Sequence, residues 1–204
     1  MNIAVISAHP DDELLGVGGT VARHVDRGDR VRMAIMCEGI SVRYDPERHA
    51  EVQAQAKAAA AILGVEDLVQ KELPDQRLDT LSLTDIVREI DAVLAGFEPE
   101  VVYTHFGGDI NRDHRILTEA VLVATRPYAA PSVREVLMFE TPSSTEWGSA
   151  TLDRKVEAFL RYTKEVRPYP HPRSAEALRD RARYWGSLVN YRAAEPFAVV
   201  RSLR

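Results

Sequence analysis

The sequence predicts a Rossmann-like α/β fold, a mostly parallel sheet with helices on both faces, and three observations predict it. Short β-branched runs alternate with longer helical stretches along the chain, as βαβ units joined by right-handed crossovers require. The first run, Ile3 to Ser7, is apolar nearly throughout and not alternating, which suits a strand buried on both faces. Glycines stand where helices should stop, at Gly28 and Gly64.

After Ile3–Ser7 a turn at Ala8–Pro10 leads into a helix from about Asp12 to Arg27, closed by Gly28. Val31 to Cys37 is the second strand. Pro46 suits the first turn of a helix reaching Leu63, and the alanine-rich stretch Ala54–Ala61 raises its propensity. Leu68–Val69 reads as a short third strand. Ser82 or Thr84 caps a helix running to about Ala95. Val101 to Thr104 is a strong strand, followed by a polar loop from His105 to Asn111 and a helix from about Arg112 to Ala124. Val136 to Phe139 is the next strand. Two helices, about Asp153–Thr163 and Ser174–Tyr191, precede a final strand at Phe197–Val200. The three prolines of Arg167-Pro-Tyr-Pro-His-Pro-Arg173 make the segment between those helices a loop. No repeat, low-complexity tract or linker divides the chain, so residues 1–204 are expected to form a single domain.

Composition narrows the function. The 204 residues are 45% hydrophobic and 28% charged, and a chain of this size buries roughly 70% of its unfolded surface without disulfide help. A net charge of -5 argues against nucleic acid, which needs a basic face. No apolar run approaches the ~18–20 residues of a membrane span. The N-terminus lacks the basic and long apolar regions of a secretory signal, so a cytoplasmic location is expected. The single cysteine, Cys37, excludes an internal disulfide and a multi-cysteine metal cluster. At the end of a buried strand it reads as a small core residue.

In a doubly wound sheet, ligands bind outside the carboxyl ends of the strands. That rule selects Ala8–Glu13, Cys37–Asp45 and His105–His114. The first loop, Ala8-His9-Pro10-Asp11-Asp12-Glu13, packs four ionisable groups straight after a buried strand. Adjacent carboxylates there repel unless a cation or a helix N-terminus offsets them. His9 and Asp12, three apart across the turn, can share one space while Asp11 points elsewhere. The loop after Val101–Thr104 supplies Asp109, Asn111, Asp113 and His114 at a helix start. His9, Asp12 and His114 can therefore converge, and two imidazoles with one carboxylate and an open position are a hydrolytic zinc arrangement. Singly, each residue has a plainer reading: Asp12 suits an N-cap, and a histidine near a strand end is most often a hydrogen-bonding residue.

Ala-His-Pro-Asp-Asp-Glu at 8–13 resembles the signature of the LmbE-like (PIG-L) family of zinc-dependent N-deacetylases, and Asn111-Arg-Asp-His114 resembles its second motif. Weaker likeness extends through Phe139–Trp147, Pro170–Ser174 and Ala194–Phe197. The resemblance implies removal of an N-acetyl group from an N-acetylglucosamine-type conjugate. It implies one Zn2+ per chain on His9, Asp12 and His114, with Asp11 as the general base toward a zinc-bound water. Fe2+ is an alternative ion, since imidazole and carboxylate suit several divalent metals. Family members often assemble into trimers or hexamers, which makes a homo-oligomer an expectation of the same kind. Many members carry a histidine where this chain has Asn111, and that histidine is proposed to protonate the leaving amine. Asp113 is kept. Three readings follow: His105 or His171 acts as the acid, Asp11 shuttles its proton to the amine, or the chain is a weak or inactive metal-dependent sugar-binding protein. Arg48, Asn111 and His171 are candidate substrate contacts, arginine's forked donors suiting sugar hydroxyls and phosphates.

Rival motifs carry less. Gly16-Val-Gly18-Gly19, with Glu38 downstream, imitates a dinucleotide fingerprint. Its third glycine position is Val21, however, and the glycines fall inside the helix, so close helix–sheet packing is the better reading. No Gly-x-Ser-x-Gly elbow accompanies Ser143–Ser144. A phosphoesterase would want a second metal and more ligands, for which Asp109 is a spare carboxylate. Trp147 could stack on a sugar or meet another subunit, and Trp185 reads as core.

Overall fold

The computed structural model describes residues 1–39, 49–141, 152–188 and 191–202. Six strands form one sheet in the order β3-β2-β1-β4-β5-β6. They are β1 (Asn2–Ser7), β2 (Arg30–Cys37), β3 (Asp67–Leu73), β4 (Val101–His105), β5 (Glu135–Phe139) and β6 (Phe197–Ser202). All neighbours are parallel except β5 and β6, which run antiparallel. The helices are α1 (Asp12–Asp26), α2 (His49–Leu63), α3 (Leu83–Leu94), α4 (Arg112–Ala124), α5 (Leu152–Phe159) and α6 (Ala175–Leu188). No helix among the described residues is long and apolar enough to cross a membrane.

Strand β1 lies at the centre, paired on both sides, and Ile3 to Ile6 are fully buried. Its side chains alternate between two cores. Ile3 and Val5 join α1, α2, α5 and α6 on one face, while Ala4 and Ile6 join α3 and α4 on the other. This is the doubly wound arrangement that the sequence predicts.

The glycines of α1 serve packing. A Cβ on Gly16 would collide with the ring of Phe139, so only glycine lets α1 settle on the end of β5. Beside Gly19 the Glu195 carboxylate accepts the backbone N–H groups of Gly19 and Thr20 at 3.0 and 2.7 Å and pairs with buried Lys155 at 2.9 Å. Gly28 closes α1 with a φ of 81°, the left-handed conformation that glycine adopts without strain.

Several expected boundaries move. Strand β3 extends from Asp67 to Leu73 instead of stopping at Val69; it is an edge strand, and Gln70, Lys71 and Glu72 hide its pattern. His105 belongs to β4, not to the loop after it. Helix α5 ends at Phe159, short of Thr163, and the chain then turns to bury Tyr162 against α1. Helix α6 stops at Leu188, and β6 runs on to Ser202. Ser82 is the cap of α3, accepting the Asp85 N–H at 3.2 Å. Trp185 is half-buried against Tyr184 rather than core. The start expected at Pro46, together with Arg48, Ser143, Ser144 and Trp147, lies outside the described residues.

Candidate metal centre and cleft

The carboxyl ends of β1, β2 and β4 lie side by side, and a cleft of about 400 Å³ opens above them. Its floor holds three donor atoms at nearly equal spacing. His9 Nδ1 lies 3.2 Å from Asp12 Oδ2 and 3.2 Å from His114 Nε2, and the third edge, His114 Nε2 to Asp12 Oδ2, is also 3.2 Å. Tetrahedral donors at zinc bond lengths of ~2.0–2.1 Å stand about 3.3–3.4 Å apart. The triangle therefore matches the spacing that three ligands of such an ion would take.

Each imidazole is oriented from its other nitrogen. His9 Nε2 lies 3.1 Å from Asp113 Oδ2, and His114 Nδ1 lies 3.1 Å from Asp109 Oδ2. Donation to those carboxylates fixes the tautomers and turns a lone pair from each ring into the triangle. Asp113 is itself anchored, because its Oδ1 accepts the Leu78 N–H at 3.1 Å. Asp12 Oδ2 also accepts the His9 N–H at 2.9 Å. Burial opposes the Asp12 charge, but His114 and His105 outweigh it and hold the carboxyl well below the usual range.

Asp11 faces a different way because of its backbone. It occupies the N-cap position of α1 with φ 111°, and its side chain caps nothing. A non-glycine residue at positive φ costs of order 1–3 kcal/mol unless its surroundings enforce it. Here they do. The Asp11 N–H donates to Glu13 Oε2 at 3.2 Å, and Glu13 Oε1 accepts the Tyr162 hydroxyl at 2.7 Å. Arg173 reaches Asp11 Oδ2 at 3.1 Å and Glu165 at 2.8 Å. Burial pushes the Asp11 carboxyl well above its usual range against the pull of Arg173, and burial raises Glu13 to about 7.

Most of the expected site residues are brought to one place. His9, Asp11, Asp12, Asn111, His114 and His171 all border the cleft. Asn111 also caps α4, its Oδ1 accepting the Asp113 N–H at 2.9 Å. The His171 ring accepts the Arg173 N–H through Nδ1 at 3.0 Å. His105, read from the sequence as an acid or as a support for a ligand, lies where it can support one. It is fully buried behind His114, stacked at 3.8 Å, with Nε2 accepting the Ala8 N–H at 2.9 Å and Nδ1 against Thr141. A ring so engaged supports its neighbour.

Sequence reasoning missed Asp75, Gln76 and Glu165, which also line the cleft. Asp75 and Gln76 closely follow β3, and their signal, Pro-Asp-Gln at a strand end, is legible only with the full strand in view. Asp109, which the sequence offers only as a spare carboxylate, is the partner of His114.

Residues 4–125 match the family model described as PIG-L, GlcNAc-PI de-N-acetylase. The chain is 30% identical over 148 residues to the uncharacterized deacetylase YaiS of Escherichia coli (strain K12), covering 70% of this chain and 75% of that protein. It is also 30% identical over 149 residues to the 1D-myo-inositol 2-acetamido-2-deoxy-alpha-D-glucopyranoside deacetylase of Mycobacterium sp. (strain KMS), covering 57% of this chain. That match takes in 48% of the mycobacterial enzyme, about half its length. Among solved structures, the conserved protein TT1542 from Thermus thermophilus shares the fold with a TM-score of 0.81 and 25% identity, over 99% of this chain and 96% of that one. With most of its first strand, both motif loops and α4 inside the matched region, this chain belongs to the PIG-L family.

Proposed function

We propose that the chain is a metal-dependent N-deacetylase that hydrolyses the N-acetyl amide of an amino-sugar conjugate, holding one Zn2+, or a similar ion such as Fe2+, on His9, Asp12 and His114. The carrying observation is the donor triangle of 3.2 Å edges with both rings fixed by carboxylates. The family description and the mycobacterial relative's substrate support the amino sugar. When bound there, the ion supplies Lewis-acid stabilisation for charge developing on the amide oxygen.

The chain's own groups do the rest. Asp11 takes a proton from the attacking water as general base. Burial keeps that carboxyl prone to hold a proton, so Asp11 can return it to the departing amine. Arg173 and the Glu13–Tyr162 pair hold Asp11 in place. Asn111 keeps its cap through Oδ1 and offers its Nδ2 donors to sugar hydroxyls. Arg48 is a further candidate contact. His171, at the cleft border, is the rival proton donor.

The test is acetate release from a panel of N-acetylated sugars, with and without chelator. Release should require metal, and Asp11→Asn should lower it roughly 10²–10⁴-fold with bound metal unchanged. Chelator-insensitive release, or an Asp11→Asn protein at the wild-type rate, overturns the mechanism. Metal-dependent sugar binding with no acetate would favour the non-catalytic reading that the missing histidine at Asn111 suggests. An equal loss in His171→Ala would move the proton donor to His171.

A further inference from the structure

We propose that the outer edge of His9 belongs to a second cation site, formed by His9 Nε2, Cys37 Sγ and Asp113 Oδ2 with Asp75 beside it, which takes a thiophilic divalent ion such as zinc and inhibits the enzyme when filled. The donor atoms of His9, Cys37 and Asp113 all lie within 4.8 Å of one another. Asp75 Oδ1 is 3.2 Å from His9 Nε2, almost as close as Asp113 Oδ2 at 3.1 Å. Both carboxylates crowd one ring nitrogen, although Gln76 also donates to Asp75 and the Leu78 N–H to Asp113, so the cluster is rich in anionic oxygen. The Cys37 thiol is 2% exposed at the end of β2 and makes no hydrogen bond among the described residues. Imidazole, thiolate and carboxylate make a three-donor set that zinc accepts and magnesium or calcium does not favour.

Filling this site has a defined proton balance. The ion takes the Nε2 lone pair in place of its proton and the sulfur in place of the thiol proton, so two protons leave to solvent. His9 then bridges two ions, and Asp113 becomes a ligand instead of the acceptor that orients the ring. Asp75 lines the cleft floor, so the second ion sits beside the substrate path. The inference rests on the proposed function only in assigning Nδ1 of His9 to the first ion.

Cobalt titration of the full chain tests it. The first Co2+ should bind without a sulfur-to-cobalt charge-transfer band, and the second should bring that band in. The band should vanish in Cys37→Ala and Cys37→Ser and persist in His114→Ala, which removes a ligand of the first site alone. Asp75→Asn, away from the core strand, should weaken the second ion by at least about tenfold. Excess zinc should inhibit acetate release in the wild type, and Cys37→Ala, with basal activity unchanged, should need at least about tenfold more zinc. No band at any loading, or its loss in His114→Ala, overturns the site. Zinc inhibition unaltered in Cys37→Ala overturns its inhibitory role. Failure of the first site alone would show as Co2+ binding only with the band, a different outcome from failure of the second.

Discussion

His9 and His114 meet nitrogen to nitrogen, Nδ1 to Nε2, at 3.2 Å. Each ring gives its other nitrogen to a carboxylate, His9 to Asp113 and His114 to Asp109. In their neutral forms the facing atoms are therefore two lone pairs, which repel unless a cation lies between them. The fold has preorganised facing donors that positive charge must hold together, either a bound ion or protons shared with Asp12.

Metal binding should therefore release protons. Burial disfavours charge on His9, but its bonds to Asp113 and Asp12 raise it to about 10; His114, likewise opposed by burial, is raised to about 9 by Asp12 and Asp109. Both rings are protonated in the metal-free protein near neutrality, whereas a metal needs the neutral ligand. Affinity should rise with pH until about 10, where the second ring has lost its proton. Zinc calorimetry in buffers of different ionisation enthalpy should report release approaching two protons per ion at neutral pH.

The same shifts set the stability of the chelated protein. A pKa raised on folding stabilises fully below the ordinary value of 6.5 and loses that contribution as pH climbs through about 9 and 10. Urea unfolding of metal-free protein should show stability declining across that window, with a smaller decline in His114→Ala.

Asp109→Asn should weaken metal binding by about 10–100-fold while leaving the fold intact. An amide can still touch His114 Nδ1 but no longer offers it a charge. Competition with a chromogenic chelator measures the loss.

Glu13→Gln should lower kcat more than it changes KM. Both carboxylate oxygens accept, one from the Asp11 N–H and the other from Tyr162, and an amide supplies one acceptor only. Leaving a buried donor unmet costs about 1–3 kcal/mol, which chemical denaturation should detect, and metal content should stay at the wild-type level.

Gly16→Ala should destabilise the fold by about 1–3 kcal/mol or more through overpacking, because the added methyl collides with the Phe139 ring. Phe139→Leu in the same chain should restore part of the loss. No effect of NAD(H) on the melting temperature is expected of either protein.

Much of this was readable from residue order. The apolar run of β1, the alternation of strands and helices, and the polar loops after β1 and β4 fixed the fold class and brought His9, Asp11, Asp12 and His114 to one sheet edge. What escaped was polar or distant. Edge strand β3 carries too little apolar pattern to mark its end, so Asp75 and Gln76 went unnoticed. Arg173 was legible as a residue bordering the cleft, but its reach to Asp11, shared with Glu165, joins positions more than 150 residues apart, a separation at which no local periodicity speaks.

Local sequence by itself determined which side chains could bind an ion, because strand ends and helix starts follow from short-range pattern and from where chemistry-bearing residues fall in it. Tertiary structure alone decided how those groups are used. It turned His105 into a buried support, gave each ligand ring its own carboxylate, and held Asp11 at positive φ through Glu13 and Tyr162. Tautomer, protonation and backbone strain depend on partners within about 3 Å in space, and the order of residues along a chain does not state those distances.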